Sequence, residues 1–460
     1  MSGSTRIKLM AMMFLQFFIW GAWLPQSFGF WEGSLGFKDW QAMALDFCFP
    51  ISAIIAMFVG NQLVDRMFAA EKFLAVSQFI GGLAMLGFGF LARMAFTGDN
   101  PETPSFWMFL ALMAVHCFFY VPGMSVTNAI LFAHATDPKK DFGPIRLFGT
   151  IGWIAAAWPF IFILTDWDKV AAAQTEGFIG WLGAAMGSPL DGNALNLGKT
   201  WTFITAGIAS LLLAGLSLAL PHTPPAKAEK QGESLALVEA FRFLGKHPYL
   251  ILLFIVTAID ATVHDGFFFF GFSYIGKIGV PQNWVQAAMT VGQLAEIGTM
   301  AFLGYVLSRL GWRYTLAIGV FGHAARFLVW AGIFAASDSL GSAGPWLAVG
   351  INVVHGICYA FFFATLYILV DIAFPKDARA SAQGLFNFLI FGLGPIVSRF
   401  VWRYINGMYT TEVEGVAKTD YSLLLLYPAG AAVVGTVLLL LFFRPPHEIE
   451  EQARTVKPEH

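Results

Sequence analysis

The middle of the chain reads TWTFITAGIASLLLAGLSLAL (residues 200–220) and continues as PHTPPAKAEKQGESLALVEAFRFLGKH (residues 221–247). The first stretch contains no charged residue and is long enough to cross a bilayer, which requires about 20 apolar residues in a helix. The second stretch is polar and begins with three prolines, so it interrupts the hydrophobic pattern. Together they predict a membrane-spanning helix that ends at a polar linker near the midpoint of the chain.

The composition of the whole chain agrees with a membrane protein. Of its 460 residues 57% are hydrophobic and only 12% are charged, whereas soluble domains carry about a quarter charged residues. The formal net charge of −2 gives no reason to expect a nucleic-acid partner. Cys48, Cys117 and Cys358 all fall in apolar segments, so neither a disulfide framework nor a metal site is predicted.

The same criterion, applied outward from the middle, predicts twelve spans and therefore an all-α integral membrane protein. The predicted spans are residues 8–29, 42–64, 73–93, 106–134, 143–165, 200–220, 248–276, 283–307, 314–336, 345–371, 380–406 and 421–443. The first is too long for the hydrophobic region of a signal peptide and lacks a small-residue cleavage site, so it is interpreted as a span.

The predicted spans form two halves. We expect a six-helix bundle over residues 1–220, a cytoplasmic linker over 221–247, a second six-helix bundle over 248–443 and a cytoplasmic tail over 444–460. Most of the 27 lysines and arginines fall on the face that carries both termini. Because positive charge concentrates in cytoplasmic loops, both termini are predicted to be cytoplasmic.

A repeat in the loops supports the two halves. GNQLVDRMFAAEK (60–72) follows the second span of the first half, and GYVLSRLGWRY (304–314) follows the second span of the other half. Both resemble the loop signature of the major facilitator superfamily, G-x-x-x-D-R-x-G-R, although the first copy lacks the second glycine and the second has Ser308 in place of the acid. The resemblance implies parallel six-helix halves. An outer loop over 166–199 is unusually long, which indicates either a function or disorder.

Polar side chains inside predicted spans are costly and are therefore candidates for function, although the alternative is a structural bond between helices. In span one Gln16, Trp20 and Trp23 share a helical face by their i, i+4, i+7 spacing. In span five Arg146, Thr150 and Trp153 repeat the spacing. A cation that reaches the interface is the structural alternative for Arg146. We interpret Gln16, Arg146, Thr150 and Trp153 as candidates for binding a polar, planar solute.

The second half carries further polar groups near mid-depth. Span seven holds Asp260, His264 and Asp265, of which Asp260 and His264 share a face and Asp265 points elsewhere. Span nine holds Arg326, for which a structural ion pair with Glu296 is the alternative interpretation. The remaining candidates are two pairs: Gln293 and Glu296 in span eight, and His355 and Tyr359 in span ten. Amide, carboxylate, imidazole and aromatic groups together suit a small solute with a flat ring and several hydroxyls.

Several segments of both halves resemble the nucleoside:proton symporter family of the major facilitator superfamily. PIRLFGTIGW (144–153) is the most specific of them. The others are FLQFFIWGAW (14–23), FYVPGMSVTNAI (119–130), LPHTPP (220–225), VGQLAEI (291–297), HGICYAFFFATLYILVD (355–371) and ARASAQGLF (378–386). They occur in the family's order over nearly the whole chain. The resemblance implies import of nucleosides with protons by alternating access, and it places Arg146, Thr150, Trp153, Gln293, Glu296, His355 and Tyr359 at solute-binding positions.

One departure concerns proton coupling. The family places an aspartate directly after the aromatic residue of span ten, and this chain has Ala360 there, which cannot titrate. Either the protein is an uncoupled facilitator, or another acid carries the proton. Asp265 is the leading candidate, with Asp260 and Glu296 as the others. A transporter of a sugar or another polyol on the same fold is a further alternative.

Other classes of function find no support in the sequence. No nucleophile elbow, metal-ligand spacing or phosphate-binding loop occurs, so neither an enzyme nor a cofactor is expected. The expected partners are a nucleoside, protons and the lipid bilayer. We expect a monomer in a bacterial inner (cytoplasmic) membrane.

Overall fold

A computed structural model describes residues 1–57, 68–97, 104–136, 138–225, 233–375, 378–413 and 416–455. Helices dominate this part of the chain. One small antiparallel sheet pairs Thr410–Val413 with Val416–Thr419. The all-α architecture predicted from the sequence is therefore confirmed.

The helices follow the predicted order of spans. In the first half they are Gly3–Gly33, Asp39–Ile55, Ala70–Met94, Phe106–Tyr120, Pro122–His134, Pro138–Ala157, Phe160–Ile163, Trp167–Ala172, Gly177–Gly187 and Gly192–Ser217. After them come Glu233–Lys246, Pro248–Lys277, Val285–Met289, Val291–Ala335, Ser337–Leu340, Ala343–Gly350, Ile351–Val353 and Val354–Cys358. The last are Tyr359–Ala364, Thr365–Ala373, Arg379–Asn387, Phe388–Leu393, Gly394–Met408, Tyr421–Leu424, Leu426–Phe442 and His447–Thr455.

Within the described residues, ten helical stretches are long and apolar enough to cross a membrane. One of them, Val285–Ala335, contains both span eight and span nine. These two spans are separated at Gly311, whose φ of 73° lies in the left-handed region that glycine tolerates. Span two is the helix Asp39–Ile55 of 17 residues, and the chain from residue 58 to 67 lies outside the described part. The ten stretches therefore fit a twelve-span chain.

The chain divides into two compact units. Unit 1 contains Met1–Lys227 together with Ile275–Thr290, and unit 2 contains Ala228–Tyr274 and Val291–His460. Residues 275–290, which the sequence assigns to the second bundle, thus pack with the first unit.

The core of unit 1 depends on close contacts between helices. Gly192–Ser217 packs along Ala70–Met94, and Gly3–Gly33 packs along Pro138–Ala157. At the second contact a Cβ atom on Gly152 would lie 2.1 Å from the carbonyl oxygen of Phe14. Small residues permit such backbone approach between membrane helices. This contact fixes span five beside span one, the two spans that carry the polar candidates of unit 1.

The outer surface of several helices is apolar, as a lipid environment requires. In Ala70–Met94 the exposed large residues Val76, Phe79, Leu83 and Phe90 follow one helical face, and the opposite face is buried. In water this exposed face would be unfavourable, whereas hydrocarbon tails solvate it. The apolar composition of the chain is thereby explained without a large soluble core.

The long loop over 166–199 is folded. Its helices Trp167–Ala172 and Gly177–Gly187 lead into Gly192–Ser217, and the side chain of Asp166 caps the first by accepting from the backbone N–H groups of Asp168 and Lys169. The backbone N–H of Lys169, followed by its ammonium group, lowers the pKa of Asp166. The described loop is therefore ordered, which argues against the disordered alternative, and a function for the loop stays a prediction.

A buried amide ties this loop to residues 275–290 within unit 1. The Nδ2 group of Asn283 donates to the carbonyl oxygens of Ala185 and Met186 in the loop, each at 3.4 Å, and to the carbonyl oxygen of Ile161 just before the loop at 3.1 Å. Nε2 of Gln286 donates to the carbonyl oxygen of Ala22 at 3.0 Å. This end of unit 1 is therefore held by side-chain amides that bind main-chain carbonyls.

Unit 2 is built around the helix Val291–Ala335, which contacts Leu426–Phe442 and Val354–Cys358. A Cβ atom on Gly292 would lie 2.6 Å from Cβ of His355, so glycine permits span eight to touch span ten at this point. Two segments are π-helical, Tyr359–Ala364 in span ten and Phe388–Leu393 in span eleven. Such segments are frequent at functional sites.

Only the second copy of the loop signature lies in the described part. There Nε of Arg313 donates to the carbonyl oxygen of Phe443 at 2.8 Å, and the guanidinium of Arg309 lies 5.5 Å from the ring centroid of Tyr305. Gly60, Asp65 and Arg66 of the first copy fall outside the described residues.

Candidate functional site

In unit 1 the polar candidate of span one is held by a hydrogen-bond chain. Oε1 of Gln16 accepts from Nε2 of Gln78 at 3.2 Å, and Oε1 of Gln78 accepts from Oγ of Ser210 at 2.7 Å. All three side chains are buried. Nε2 of Gln16 makes no hydrogen bond with the described part of the chain. A buried amide donor of this kind remains available to a polar solute.

Aromatic rings surround the candidates of span five. The guanidinium of Arg146 lies 3.9 Å from the ring centroid of Phe17, a cation–π contact. Trp153 meets Trp20 edge to face with ring centroids 5.1 Å apart, and Trp20 stacks on Phe49 at 5.0 Å.

Arg146 and Thr150 are half-buried, and Trp153 is buried. Together with the rings and Gln16, these residues present hydroxyl, guanidinium, amide and aromatic groups in one unit. A polar, planar solute can use all of these groups.

In unit 2 the candidates of spans eight and ten meet directly. Nε2 of Gln293 lies 3.3 Å from Nε2 of His355, and both side chains are buried. Nδ1 of His355 accepts from the guanidinium of Arg326 at 3.0 Å, which also donates to Nδ1 of His323 at 2.9 Å. The structure thus brings two sequence candidates together and adds Arg326 and His323 behind them.

Arg326 is fully buried and its contacts differ from the structural alternative. That alternative expected an ion pair with Glu296, whereas in the described structure the hydrogen-bonding partners of Arg326 are the two imidazoles. Its guanidinium also lies 3.8 Å from the ring centroid of Phe267. Arg326 therefore belongs to a histidine cluster, and Glu296 is half-buried on the same helix as Gln293.

The two aspartates of span seven have different surroundings. Asp260 is fully buried, and neither of its carboxylate oxygens accepts a hydrogen bond within the described part of the chain. Its Oδ1 lies 3.7 Å from Nε2 of His323. Asp265 instead forms a two-pronged ion pair with Arg399 of span eleven, one contact of which measures 3.2 Å.

Tyr359 is half-buried at the start of the π-helical segment, and Ala360 beside it is fully buried. His264 stacks on His355 with ring centroids 5.0 Å apart. Among the described residues no group of histidine, cysteine, aspartate and glutamate side chains is arranged to hold a metal ion.

Three residues that contact the candidate site residues were not identified as candidates from the sequence. His323 precedes Arg326 by three residues, a helical spacing that could have drawn attention to it. Arg399 lies near the end of a predicted span, where a cation is ordinary, but the structure buries it against Asp265. Gln78 carries no comparable local signal, because its partners are 62 and 132 residues away.

The helical membrane fold and its buried polar groups define a secondary transporter of the major facilitator superfamily. The family model described as nucleoside H+ symporter matches residues 3–199 and 175–448. The chain therefore belongs to the nucleoside:proton symporter family.

Individual relatives agree with the family. YegT of Escherichia coli (strain K12) is 29% identical over 96% of this chain and 94% of its own length. The nucleoside permease NupG of the same organism is 25% identical over 96% of each chain. The crystal structure of the nucleoside transporter NupG covers 96% of this chain and 100% of its own, with 22% identity and a TM-score of 0.73, which shows a shared fold.

Proposed function

We propose that this protein imports nucleosides together with protons by alternating access. Membership of the symporter family supports the reaction, and NupG, a relative over nearly the full length, is named a nucleoside permease. The observation that carries the proposal is the buried contact between Gln293 and His355. Polar groups inside a span are costly and are therefore candidates for function, and an amide and an imidazole can both hydrogen-bond a hydroxylated solute.

We further propose a role for each candidate. Thr150, Gln293 and Glu296 hydrogen-bond the sugar or the base, and Gln16 donates through its free amide. Trp153 and Tyr359 stack on the base, since aromatic faces suit a planar ring.

Two further candidates complete the proposed set. Arg146, held over Phe17, donates to an oxygen of the solute. His355 acts beside Gln293, with which it is already in contact.

The environment and organisation are part of the proposal. We place the protein in the cytoplasmic membrane of a bacterium as a monomer, with both termini in the cytoplasm, because lysine and arginine concentrate on that face. We assign residues 1–220 and 248–443 to the two six-helix bundles, residues 221–247 to the linker and residues 444–460 to the tail.

Uptake into vesicles tests the function. Purified protein in lipid vesicles is expected to accumulate labelled uridine or adenosine when the outside is more acidic than the inside, and unlabelled nucleosides are expected to compete. Absence of uptake and of competition by every nucleoside would reject the substrate class. Uptake that is equal with and without the acid gradient would reject coupling alone and leave the facilitator.

Substitution of Gln293 tests its proposed role in binding the solute. Gln293→Ala is expected to raise KM by about 2- to 10-fold, since a neutral hydrogen bond contributes about 0.5–1.5 kcal/mol. Leu294→Ala, an exposed neighbour on the same helix, provides the control and should leave KM unchanged. An unchanged KM in Gln293→Ala would remove that residue from the binding site.

A further inference from the structure

The contacts of Arg326 determine where two histidines carry their protons. A guanidinium has N–H donors and no acceptor, yet it binds Nδ1 of both His323 and His355. Each Nδ1 must therefore offer a lone pair, and each neutral ring carries its proton on Nε2. His323 consequently directs an N–H toward Asp260, and His355 directs one toward Gln293.

The proton on His355 determines how Gln293 is oriented. Nε2 of His355 is a donor, so the atom of Gln293 at 3.3 Å has to be its amide oxygen, and the assignment of amide oxygen and nitrogen follows the hydrogen-bond network. The NH₂ group then occupies the opposite position of the amide. That position makes no hydrogen bond with the described part of the chain. Gln293 thereby presents a donor to a solute acceptor.

At the other end of the cluster, His323 and Asp260 face each other without completing a hydrogen bond. The 3.7 Å between Nε2 of His323 and Oδ1 of Asp260 exceeds hydrogen-bond length. Both side chains are fully buried. His323 and Arg326 on span nine and Cys358 on span ten face Asp260. His264 on the same helix contacts the rings of His323 and His355.

We propose that Asp260 is the proton carrier of this transporter, and that His323, Arg326 and His355 connect it to the amide of Gln293. The proposal rests on the proton-coupled function above. In it Asp260 accepts a proton at its carboxylate from the outer side and releases the same proton inside. Arg326 and His355 are positioning residues, because they act on the solute through Gln293.

The charge on Asp260 decides the state of the whole cluster. An ionised carboxylate balances Arg326 and attracts the Nε2–H of His323, which keeps Nδ1 available to the guanidinium. A protonated Asp260 needs an acceptor, and the imidazole nitrogen that faces it is already a donor. It also leaves Arg326 as an uncompensated buried cation, which is strongly unfavourable. The cluster therefore has to rearrange, and the orientation of Gln293 changes with it.

Asp265, the other acid of span seven, has different contacts from those of Asp260. Asp265 is satisfied by the guanidinium of Arg399, and neither residue contacts Gln293 or His355 through the described hydrogen bonds. Its protonation would break an ion pair but would not reach the amide of Gln293. The described contacts therefore favour Asp260 over Asp265, the leading candidate from the sequence.

The test compares vesicles that contain the native protein, Asp260→Asn and Asp260→Glu. Asp260→Asn is expected to lose all accumulation driven by an inward acid gradient and to keep exchange of labelled for unlabelled nucleoside. Asp260→Glu retains a carboxyl group and is expected to keep the accumulation. Native-like accumulation by Asp260→Asn would overturn the proposal. Absence of nucleoside uptake by the native protein would instead reject the proposed function.

The matched control is the double variant Asp265→Asn/Arg399→Gln, which removes the other acid of the helix together with its partner. It is expected to retain the response to the gradient. Loss of that response, together with its retention in Asp260→Asn, would transfer the role to Asp265.

A binding measurement covers the case in which Asp260→Asn no longer transports. The Kd of uridine or adenosine is measured by tryptophan fluorescence at acidic and alkaline pH. The Kd of the native protein is expected to depend on pH, and the Kd of Asp260→Asn is expected to be independent of pH. The same pH dependence in both proteins would overturn the proposal.

The positioning role of His355 has its own readout. Glutamine can accept from Arg326 and donate to Gln293, whereas phenylalanine keeps the ring and does neither. His355→Phe is expected to raise KM by about 2- to 10-fold, and His355→Gln is expected to stay near the native value. An equal increase in both variants would reject the positioning role.

Discussion

Substitution of Gly152 by alanine tests the contact on which unit 1 depends. The new Cβ atom would lie 2.1 Å from the carbonyl oxygen of Phe14 and 2.9 Å from its carbonyl carbon. Real Cβ contacts are essentially never below 3.0 Å. The two helices therefore have to separate by about 1 Å. No rotamer change can relieve the overlap, because the backbone fixes the position of Cβ and the atom it meets is a backbone carbonyl oxygen.

The expected cost of this substitution is about 1–3 kcal/mol, the range for overpacking of a close-packed contact. Trp153 follows Gly152 and meets Trp20 at 5.1 Å between ring centroids, so the separation also displaces the aromatic wall proposed for the base. Nucleoside uptake is therefore expected to fall together with stability.

Thermal unfolding of the purified protein in detergent measures the first effect, and vesicle uptake measures the second. Gly143→Ala in the same helix is the control, since a Cβ atom there would meet nothing within 4 Å. The control is expected to match or exceed the native midpoint, because alanine favours a helix over glycine by about 1 kcal/mol. Equal midpoints and equal uptake in the two variants would refute the packing argument.

Three further substitutions probe buried or capping contacts. Asn283→Ala removes the hydrogen bond from its amide to the carbonyl oxygen of Ile161, which still accepts from Oγ1 of Thr165, and is expected to cost about 0.5–1.5 kcal/mol, measured by thermal unfolding. Arg399→Gln leaves the largely buried Asp265 without its counter-charge and is expected to cost about 3 kcal/mol. Added Asp265→Asn should recover most of that loss, and a double variant no more stable than the single would contradict the ion-pair argument. Asp166→Ala removes the cap of Trp167–Ala172, so hydrogen exchange there should become faster.

Acid is expected to affect the same cap. The pKa of Asp166 is lowered by its hydrogen bonds and by the Lys169 ammonium group, so its contribution to stability is present above the ordinary aspartate pKa and is lost as the pH falls through the lowered value. In the native protein, acidification should weaken exchange protection in this helix, whereas in Asp166→Ala protection should change less. Equal changes in the two proteins would contradict the assignment.

Helical spacing within one span was predictable, and so was part of the candidate site. The i, i+4 relation places Asp260 and His264 on one face, and the structure has both beside His323. The three-residue spacing of His323 and Arg326 was equally visible, but a buried histidine beside an arginine gains meaning only once its partners are known. The roles of the predicted binding residues remain predictions.

The sequence alone determined the membrane class, the order of the spans and the family, since each follows from local composition, length and short motifs. The span and polar linker in residues 200–247 already predicted that the spans fall into two halves. Only the tertiary structure decided which polar groups meet: Arg399 with Asp265 and Gln78 with Gln16 lie 134 and 62 residues apart. The physical reason is that hydrophobic periodicity specifies the buried face of a helix, whereas close packing against other helices specifies its partner.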